Sequence, residues 1–272
     1  MVYPTLIANF LTIRFMTYRF FSVIALSVAA LIGWSCEKNA LILPNEPVTS
    51  GARIKLVHAA LEAPGVDLFV NGTKLSAFTP ANASTTSPGT PVPISFNNTF
   101  PGTGASYAVV PVGQAALQIS APATTTATSA TVLYEQTTQL EDNKYYSLLL
   151  TGAGQKPDVL LVTDDFSNAN DPSKFYVRFV NLIPNDVKYD LALSTGTVLV
   201  SGAAYKSVSP FVGVDVSNNV SLVLRAAGTT TNIGAVYTFT STANGRVLTL
   251  FARGLPGKTG TQAPALNGYV NR

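Results

Sequence analysis

The sequence RIKLVHAALEAPGVDLFVNG, residues Arg53–Gly72, recurs in divergent form as VRFVNLIPNDVKYDLALSTG, residues Val177–Gly196. The alignment without a gap has an offset of 123 positions, so that Ile54 falls on Val177 and Asp67 falls on Asp190. A unit that is repeated at this distance indicates two similar domains. A chain of 272 residues is long enough to contain both of them.

Apolar and polar residues alternate at the start of the repeat, as they do in a β-strand. Ile54, Leu56 and His58 would lie on one side of this strand, with Lys55 and Val57 on the other. The repeat therefore opens with a strand that has two different faces.

Further strand-like segments follow each copy at intervals of roughly 8 to 15 residues, with turn residues between them. They are residues 107–119, 131–135 and 145–150 after the first copy, and 211–224, 235–239 and 247–252 after the second. Asn71-Gly72 is a strong hairpin turn signal, and no helical periodicity follows the N-terminal segment. This pattern predicts an all-β chain with two tandem Ig-like antiparallel β-sandwich domains.

Composition changes along the chain suggest where the domains end. We expect domain 1 over residues 51–163, a linker over 164–174, domain 2 over 175–257 and a C-terminal tail over 258–272. The tail contains Gly and Pro, and it could pair as an edge strand or stay outside the sheets.

Residues 1–35 are expected to be a signal peptide, with Met16 as an alternative start. After Arg19 comes an uncharged run of about 15 residues, Phe20–Trp34, which is shorter than the roughly 20 residues that span a bilayer. A longer hydrophobic anchor that includes the residues before Met16 is the alternative.

The single cysteine, Cys36, ends this hydrophobic run. With Gly33, Trp34 and Ser35 before it, it resembles the lipidated cysteine of a bacterial lipobox, and the resemblance implies that lipid chains anchor the protein to a membrane. Residues 36–50 would then be a lipidated tether. A cysteine that only happens to lie near a cleavage site is the alternative. One cysteine allows neither an intramolecular disulfide nor a cysteine metal cluster.

Charged residues make up 11 % of the chain, so hydroxyl and amide side chains carry much of its contact with water. Two of the 17 basic residues, Arg14 and Arg19, precede Cys36, whereas all 14 acidic residues follow it. The chain from Cys36 onward therefore has a net charge of about +1. Phosphate binding requires clustered Lys and Arg, so we expect no nucleic-acid partner.

Catalytic constellations are scarce in this sequence. His58 is the sole histidine, which removes a two-histidine metal site, and we predict that its imidazole satisfies backbone groups near a turn. A ligand-binding or catalytic role for His58 is the alternative. Asp67 and Asp190 supply one equivalent acid per domain rather than the pair that glycoside hydrolysis needs, so we expect them to accept hydrogen bonds from neighbouring loops.

The linker holds the richest cluster of oxygen-bearing side chains. Weak candidates for calcium ligands are Asp164, Asp165, Asn168, Asn170 and Asp171. Their spacing lacks the glycine and the distal glutamate of an EF-hand loop, so a solvated linker is the preferred interpretation.

A few aromatic residues could stack on a glycan, although core packing is the more common role of such residues. The candidates are Tyr107, Tyr134, Tyr205 and Phe211.

Three short segments carry a family resemblance. Val57-His58-Ala59, Glu62-Ala63-Pro64 and the VDLFVNG segment of residues 66–72 are similar to the opening of the domain of unknown function 4397 family. Members begin with a strand, a His-Ala-Ser-Pro-Asp-Ala-Pro-like turn and a Val-Asp-Val-Tyr-like strand, and the second copy keeps weaker echoes of this pattern. The resemblance implies a secreted or surface-attached bacterial protein, and it brings no established catalytic residues.

Together these observations predict a non-enzymatic lipoprotein of the cell envelope, without a cofactor, whose two β-sandwich modules serve binding, adhesion or structural display. We expect it on the outer membrane, facing the cell surface or the periplasm, with an unknown protein or glycan as its ligand. The alternative is an accessory glycan-binding lipoprotein of an outer-membrane polysaccharide-uptake system.

Overall fold

The computed structural model describes residues 50–76, 92–154, 157–215, 219–239 and 245–272. These residues form an all-β protein with one short 3-10 helix, Gly260–Gln262. The described strands are β1 Ala52–His58, β2 Asp67–Val70, β3 Thr73–Lys74, β4 Thr99–Phe100, β5 Ala108–Val110, β6 Gly113–Ala121, β7 Thr131–Leu140, β8 Tyr145–Thr151, β9 Asp158–Thr163, β10 Lys174–Asn181, β11 Tyr189–Leu193, β12 Val198–Ala203, β13 Val212–Asp215, β14 Val220–Ala226, β15 Asn232–Phe239, β16 Val247–Arg253 and β17 Ala265–Val270.

Strands β1 to β9 form the first sandwich. Its first inner sheet has the order β4-β1-β8-β9, with β5 also paired to β1, and its first outer sheet has the order β3-β2-β6-β7. Alternate residues of the two sheets, such as Leu56 and Leu148 from one and Leu68 and Leu117 from the other, meet in a common buried core.

Strands β10 to β17 form the second sandwich with the same order of equivalent strands. The second inner sheet runs β13-β10-β16-β17, and the second outer sheet runs β12-β11-β14-β15. The register repeats as well: Ile54 pairs with Tyr146, and the equivalent Val177 pairs with Leu248. The predicted all-β sandwich architecture is therefore confirmed.

One feature of the sheets differs from the predicted antiparallel arrangement. β1 pairs with β8 in parallel, and β10 pairs with β16 in parallel. The chain can bring parallel neighbours together because it crosses to the outer sheet and back between them. The alternation read in β1 could not reveal this, because a strand pattern reports which faces are buried and not which way a neighbour runs.

The two inner sheets pack against each other, so the described sheets are stacked in four layers. A buried apolar cluster at this contact draws equivalent residues from both halves: Val57 and Val180, Ala59 and Leu182, Leu149 and Phe251, Val162 and Tyr269. The interface thus resembles the isologous contact of a twofold dimer, built within one chain. Strands buried on both faces carry long apolar runs, as in the YYSLLLT of β8.

The C-terminal boundary of domain 2 requires correction, because the second sandwich extends beyond residue 257. β17 pairs with β16 along its whole length and completes the second inner sheet at its edge, which is the edge-strand alternative for the tail. In the linker, residues 165, 167, 168 and 170 are exposed, as expected of a solvated segment, whereas Asp164 and Ala169 are buried by tertiary packing.

The predicted hairpin turn at Asn71-Gly72 is confirmed. Both residues have positive φ, 50° and 75°, as a type I′ turn requires, and they connect β2 to β3. The signal peptide, Cys36 and the tether lie outside the described residues. Among the described residues, no helix is long and apolar enough to cross a membrane.

Candidate functional site

Two cations are buried where the inner sheets meet, and they occupy equivalent positions. Lys55 follows Ile54 in β1, and Arg178 follows Val177 in β10. Because side chains alternate along a strand, the neighbouring apolar residues face the sandwich cores while both cations face the other sandwich. Lys55 is 0 % exposed and Arg178 2 %.

Arg178 is neutralised by a carboxylate from the first sandwich. Its Nη2 donates to Asp164 Oδ1 and, at 3.2 Å, to the hydroxyl of Tyr269, while its Nε donates to Thr249 Oγ1 at 2.9 Å. The side chains of Arg178 and Asp164 are 3 % and 0 % exposed. An ion pair this deeply buried keeps its charges only with further hydrogen bonds, and Asp164 has them.

Asp164 receives two hydroxyl donors in addition to Arg178. Ser147 Oγ donates to its Oδ2 at 2.6 Å, and the hydroxyl of Tyr107 donates to the same atom at 2.9 Å. Tyr269 in turn donates to Ser147 at 2.8 Å. Burial raises the pKa of Tyr107 and of Tyr269, so both hydroxyls stay protonated and can donate.

The remaining polar groups close the network from the second sandwich. Thr249 Oγ1 donates to Asn271 Oδ1 at 2.7 Å, and Asn271 Nδ2 donates to the hydroxyl of Tyr107 at 2.8 Å. Asn271 is the positional equivalent of Asp164, and Thr249 is that of Ser147. In the described part of the chain, the buried side-chain polar atoms without a partner are His58 Nδ1 and Thr99 Oγ1, and neither belongs to this network.

Lys55 is held in a different way. Its Nζ donates to the backbone carbonyls of Gly102 at 2.6 Å and Gly104 at 2.9 Å, and it lies 4.9 Å from the centre of the Tyr107 ring. Desolvation lowers the pKa of Lys55 to about 8, while the nearby charge of Asp164 opposes this shift. An amine enclosed by carbonyls and rings in this way acts as a structural group, because it is 0 % exposed.

The aromatic residues above the two cations are also equivalent. Tyr107 precedes Ala108, which pairs with Ile54, and Phe211 precedes Val212, which pairs with Val177. The Phe211 ring centre lies 4.9 Å from the guanidinium carbon of Arg178, the same distance as in the Lys55 contact. Each half therefore places its cation against an equivalent ring, and Lys55 Nζ also lies 5.4 Å from the centre of the Tyr269 ring.

A cleft that we call the junction pocket opens beside Arg178, with a volume of about 260 Å³. Its lining includes Arg178 and Phe211, the Phe166 ring and the polar residues Asp165, Asn168 and Ser209. A second cleft of about 300 Å³ shares Asp165 and Phe166 with it and is also lined by Lys144, Tyr145 and Arg272, among others. Pockets at domain junctions are frequent ligand sites.

A larger pocket of about 700 Å³ lies at the far loops of the first sandwich. Proline, alanine and threonine dominate its lining, together with Val132 and Leu133, and the described part of the lining contains neither an aromatic nor a charged residue. It offers hydroxyl groups and apolar surface but little that would orient a ligand.

The candidate calcium ligands are not assembled into one site. Asp164 is engaged with Arg178, Asp165 accepts from the backbone N–H of Ser167 at 3.0 Å, and Asp171 accepts from Ser173. These hydrogen bonds lower the pKa of Asp165 and of Asp171. Within the described ranges, no group of three or more His, Cys, Asp or Glu residues could hold a metal ion.

His58 lies where a structural role would place it. It is fully buried, its Nε2 lies 3.0 Å from the carbonyl of Pro64, and its ring meets Phe96 edge-on. Desolvation lowers its pKa, which the hydrogen bond to Pro64 partly opposes, so the ring is neutral and Nε2 donates. The contact holds the turn between β1 and β2 against the end of β1.

Asp67 and Asp190 both accept hydrogen bonds from neighbouring segments, in agreement with the sequence. Asp67 binds Lys74 at 2.8 Å and Ser76 at 3.0 Å. Asp190 accepts from the backbone N–H groups of Gly202 at 2.6 Å and Gly228 at 3.0 Å.

None of the aromatic residues that could stack on a glycan forms an exposed platform. Tyr107, Tyr134, Tyr205 and Phe211 are all partly buried, and every aromatic side chain in the described ranges is at least partly buried. Phe211 is the one whose ring lines the junction pocket.

Sequence reasoning did not identify Lys55 and Arg178 as members of a site. The signal was present, since a charged residue stands between apolar residues of a predicted strand at the same position of both copies. A single strand pattern would assign such a residue to a solvent-facing side. Only the contact between the inner sheets shows that this side is buried.

Comparison with known families gives a match over just over half of the chain. The model of DUF4397, described as a domain of unknown function, matches residues 52–192, which include the first sandwich and the opening strands of the second. No curated protein sequence matches the chain. Because the family model covers just over half of the chain, this protein belongs to the DUF4397 family.

Proposed function

We propose that this chain is a non-enzymatic lipoprotein of the cell envelope that presents its two sandwiches as one rigid binding module. The observation that carries the proposal is the buried interface between the inner sheets, in which equivalent apolar residues and a closed polar network join the two halves. A rigid body keeps its loops in fixed positions before a partner arrives, which reduces the ordering cost of binding.

The chemistry at the interface favours a structural and binding role over catalysis. The titratable groups there donate to or accept from protein atoms, and Lys55 and Arg178 are 0 % and 2 % exposed. Catalytic groups need access to substrate. The nitrogen atoms of Lys55 and Arg178 that donate to protein atoms are buried and lack this access.

Attachment to the membrane would come from lipidation of Cys36, with residues 36–50 as the tether. To test this, wild type and the Cys36→Ala variant are expressed in a Gram-negative host and fractionated. We expect wild type in the outer-membrane fraction with the mass of lipid chains, and the variant in the soluble periplasmic fraction. Equal membrane association and unlipidated masses for both would contradict the anchor.

The face of the membrane is decided by protease treatment of intact cells, with a periplasmic protein as the control. Digestion of the protein in intact cells would indicate display toward the outside and an adhesive or capturing role. Protection until the outer membrane is broken would indicate periplasmic partners.

Glycan binding beside an outer-membrane uptake system is the second candidate. It is favoured by one feature, the junction pocket with its two aromatic rings and its polar rim. Sugar rings bind to surfaces of this kind through C–H contacts with aromatic faces and hydrogen bonds at the edge.

A further inference from the structure

The two halves of the interface differ in what lies beside the buried cation. In the first half, the carbonyls of Gly102 and Gly104 cover Lys55. In the second half, the corresponding space beside Arg178 is the junction pocket. The chain fills one of the two equivalent places and leaves the other open.

A difference in loop length explains this asymmetry. Thr99 pairs with Val57, and the equivalent Val208 bridges to Val180. From Thr99 to Tyr107 the chain advances eight positions, but from Val208 to Phe211 it advances only three. The five additional residues of the first half form the glycine-containing loop that covers Lys55, and the second half has no residues for it.

Arg178 retains donor capacity toward the pocket. Nε and Nη2 are engaged with Thr249, Asp164 and Tyr269, while Nη1 has no hydrogen-bond partner in the described part of the chain. The Arg178 side chain is 3 % exposed, and the residue lines the pocket next to the Phe211 ring. Nη1 can therefore donate to acceptor oxygens of a ligand, as Lys55 Nζ donates to the two glycine carbonyls.

The charges around the pocket select a neutral ligand. Asp164 already compensates Arg178, and Asp165 stands at the rim, so an anion gains little there. A cationic ligand would be repelled, because it would lie next to the positively charged guanidinium of Arg178. Asn168 adds a group that both donates and accepts, and the Phe166 and Phe211 rings add apolar walls.

We infer that the junction pocket binds one pyranose ring of a neutral glycan. Vicinal hydroxyls of the sugar accept from Arg178 Nη1 and bond to Asn168 and Asp165, while a C–H face of the ring lies on Phe211. The volume of about 260 Å³ is just below the range of about 300–1,000 Å³ for drug-sized ligands, which suits a single ring. This inference rests on the proposed binding role and names its ligand class.

The test is titration of the purified chain from residue 37 onward with small probes, followed by saturation-transfer NMR and calorimetry. The probes are the methyl glycosides of glucose, galactose and mannose, with methyl glucuronide as an anion, choline as a cation and triglycine amide as a peptide. We expect at least one neutral glycoside to bind with a Kd on the order of 1–10 mM, and the charged probes and the peptide to bind more weakly.

Variants assign the binding to the pocket. Phe211→Ala should weaken the affinity for the glycoside about tenfold. Asn168→Ala, which changes an exposed residue, should weaken this affinity about fivefold. Tyr205→Ala is the matched control, because it removes a partly buried ring outside the pocket and should leave the affinity unchanged. Circular dichroism verifies that each variant is folded, and Asn168→Ala keeps the test valid should Phe211→Ala unfold.

Several results would overturn the inference. They are the absence of binding by every neutral glycoside, equal affinity in wild type and in folded Phe211→Ala and Asn168→Ala variants, or a preference for glucuronide, choline or the peptide. Failure here leaves the proposed envelope module standing, because its anchor is tested separately by the fractionation of Cys36→Ala. A fractionation result that contradicts the lipid anchor would not affect the glycoside titration, because the titration uses the purified chain without Cys36.

Discussion

Lys55 and Arg178 show how the two copies of the repeated unit diverge at equivalent positions. Both cations are buried on the face of an inner sheet that meets the other sandwich, and each lies against an aromatic ring. Arg178 has a carboxylate, Asp164, whereas Lys55 has two neutral carbonyls. The equivalent of Asp164 in the second half is Asn271, which leaves one carboxylate to compensate two cations at the interface.

This difference teaches that burial alone does not decide the charge state of a cation. A guanidinium with a planar fork can satisfy a carboxylate and two hydroxyls at once, and it is protonated under all ordinary conditions. An ammonium is more strongly hydrated, and its pKa falls readily when burial removes water. The pKa of Lys55 falls to about 8 for this reason.

The largest expected effect is at Arg178, where one substitution removes the ion-pair partner of the buried Asp164 carboxylate. We expect Arg178→Met to reduce the free energy of unfolding by about 3–5 kcal/mol, because Asp164 then remains buried without its counter-charge. Urea denaturation followed by circular dichroism measures the loss.

Lys174→Met is the control for Arg178→Met. Lys174 pairs with Asp215 at 3.7 Å on the surface, and its removal should change stability by no more than about 0.5 kcal/mol. Equal losses for the two variants would show that the buried network contributes no more than an exposed ion pair.

A smaller, pH-dependent effect is expected at Lys55. Its folded pKa of about 8 lies below its ordinary value of 10.5, so between these values the unfolded chain holds a proton that folded Lys55 has lost. Stability therefore rises with pH through this window, by at most about 1.4 kcal/mol per pH unit. Lys55→Met should lack this contribution, which denaturation curves across the window would show as a difference in slope.

Lys206→Met provides the matched comparison for Lys55→Met. Lys206 forms an ion pair with Asp158 while a third of its side chain stays exposed, so its loss should leave the slope close to that of wild type. Parallel stability curves for wild type and Lys55→Met would mean that Lys55 titrates normally.

The smallest expected effect is at His58, whose equivalent in the second half is Asn181. The pKa of buried His58 lies below its ordinary value of 6.5, so as pH falls through 6.5 the unfolded chain takes up a proton before the folded chain does. Wild type should lose stability on acidification, by at most about 1.4 kcal/mol per pH unit.

His58→Asn installs the residue of the second half and should remove this acid sensitivity. The measurement is the urea midpoint of both proteins at about pH 7.5 and about pH 5. An identical acid shift in both proteins would show that His58 is not its source.

Much of the fold could be predicted from the sequence because its signals are local. Alternating apolar residues, the Asn71-Gly72 turn and the recurrence of the unit identified strands, a hairpin and two sandwiches, and the structure has all of them. The roles of Asp67 and Asp190 as acceptors for nearby loops were predicted for the same reason, since their partners are close in sequence or in the adjacent strand.

The candidate site could not be predicted in this way, because its parts are far apart in the chain. Arg178 and Asp164 are close in sequence, but Tyr107, Tyr269 and Asn271 reach the same network from distant segments. Phe211 was noted as a possible stacking residue, yet its position above Arg178 depends on a sheet pairing that no local pattern contains.

The amino-acid sequence by itself determined the all-β class, the repeat and the near-neutral charge, because strand periodicity, turn chemistry and composition act over a few residues. Tertiary structure alone decided that the inner sheets pack face to face, that their centres are parallel pairs and that residues 265–270 join them. It also decided that the short connection before Phe211 leaves a pocket beside Arg178. These outcomes depend on which surfaces exclude water together, and that is a property of the assembled fold.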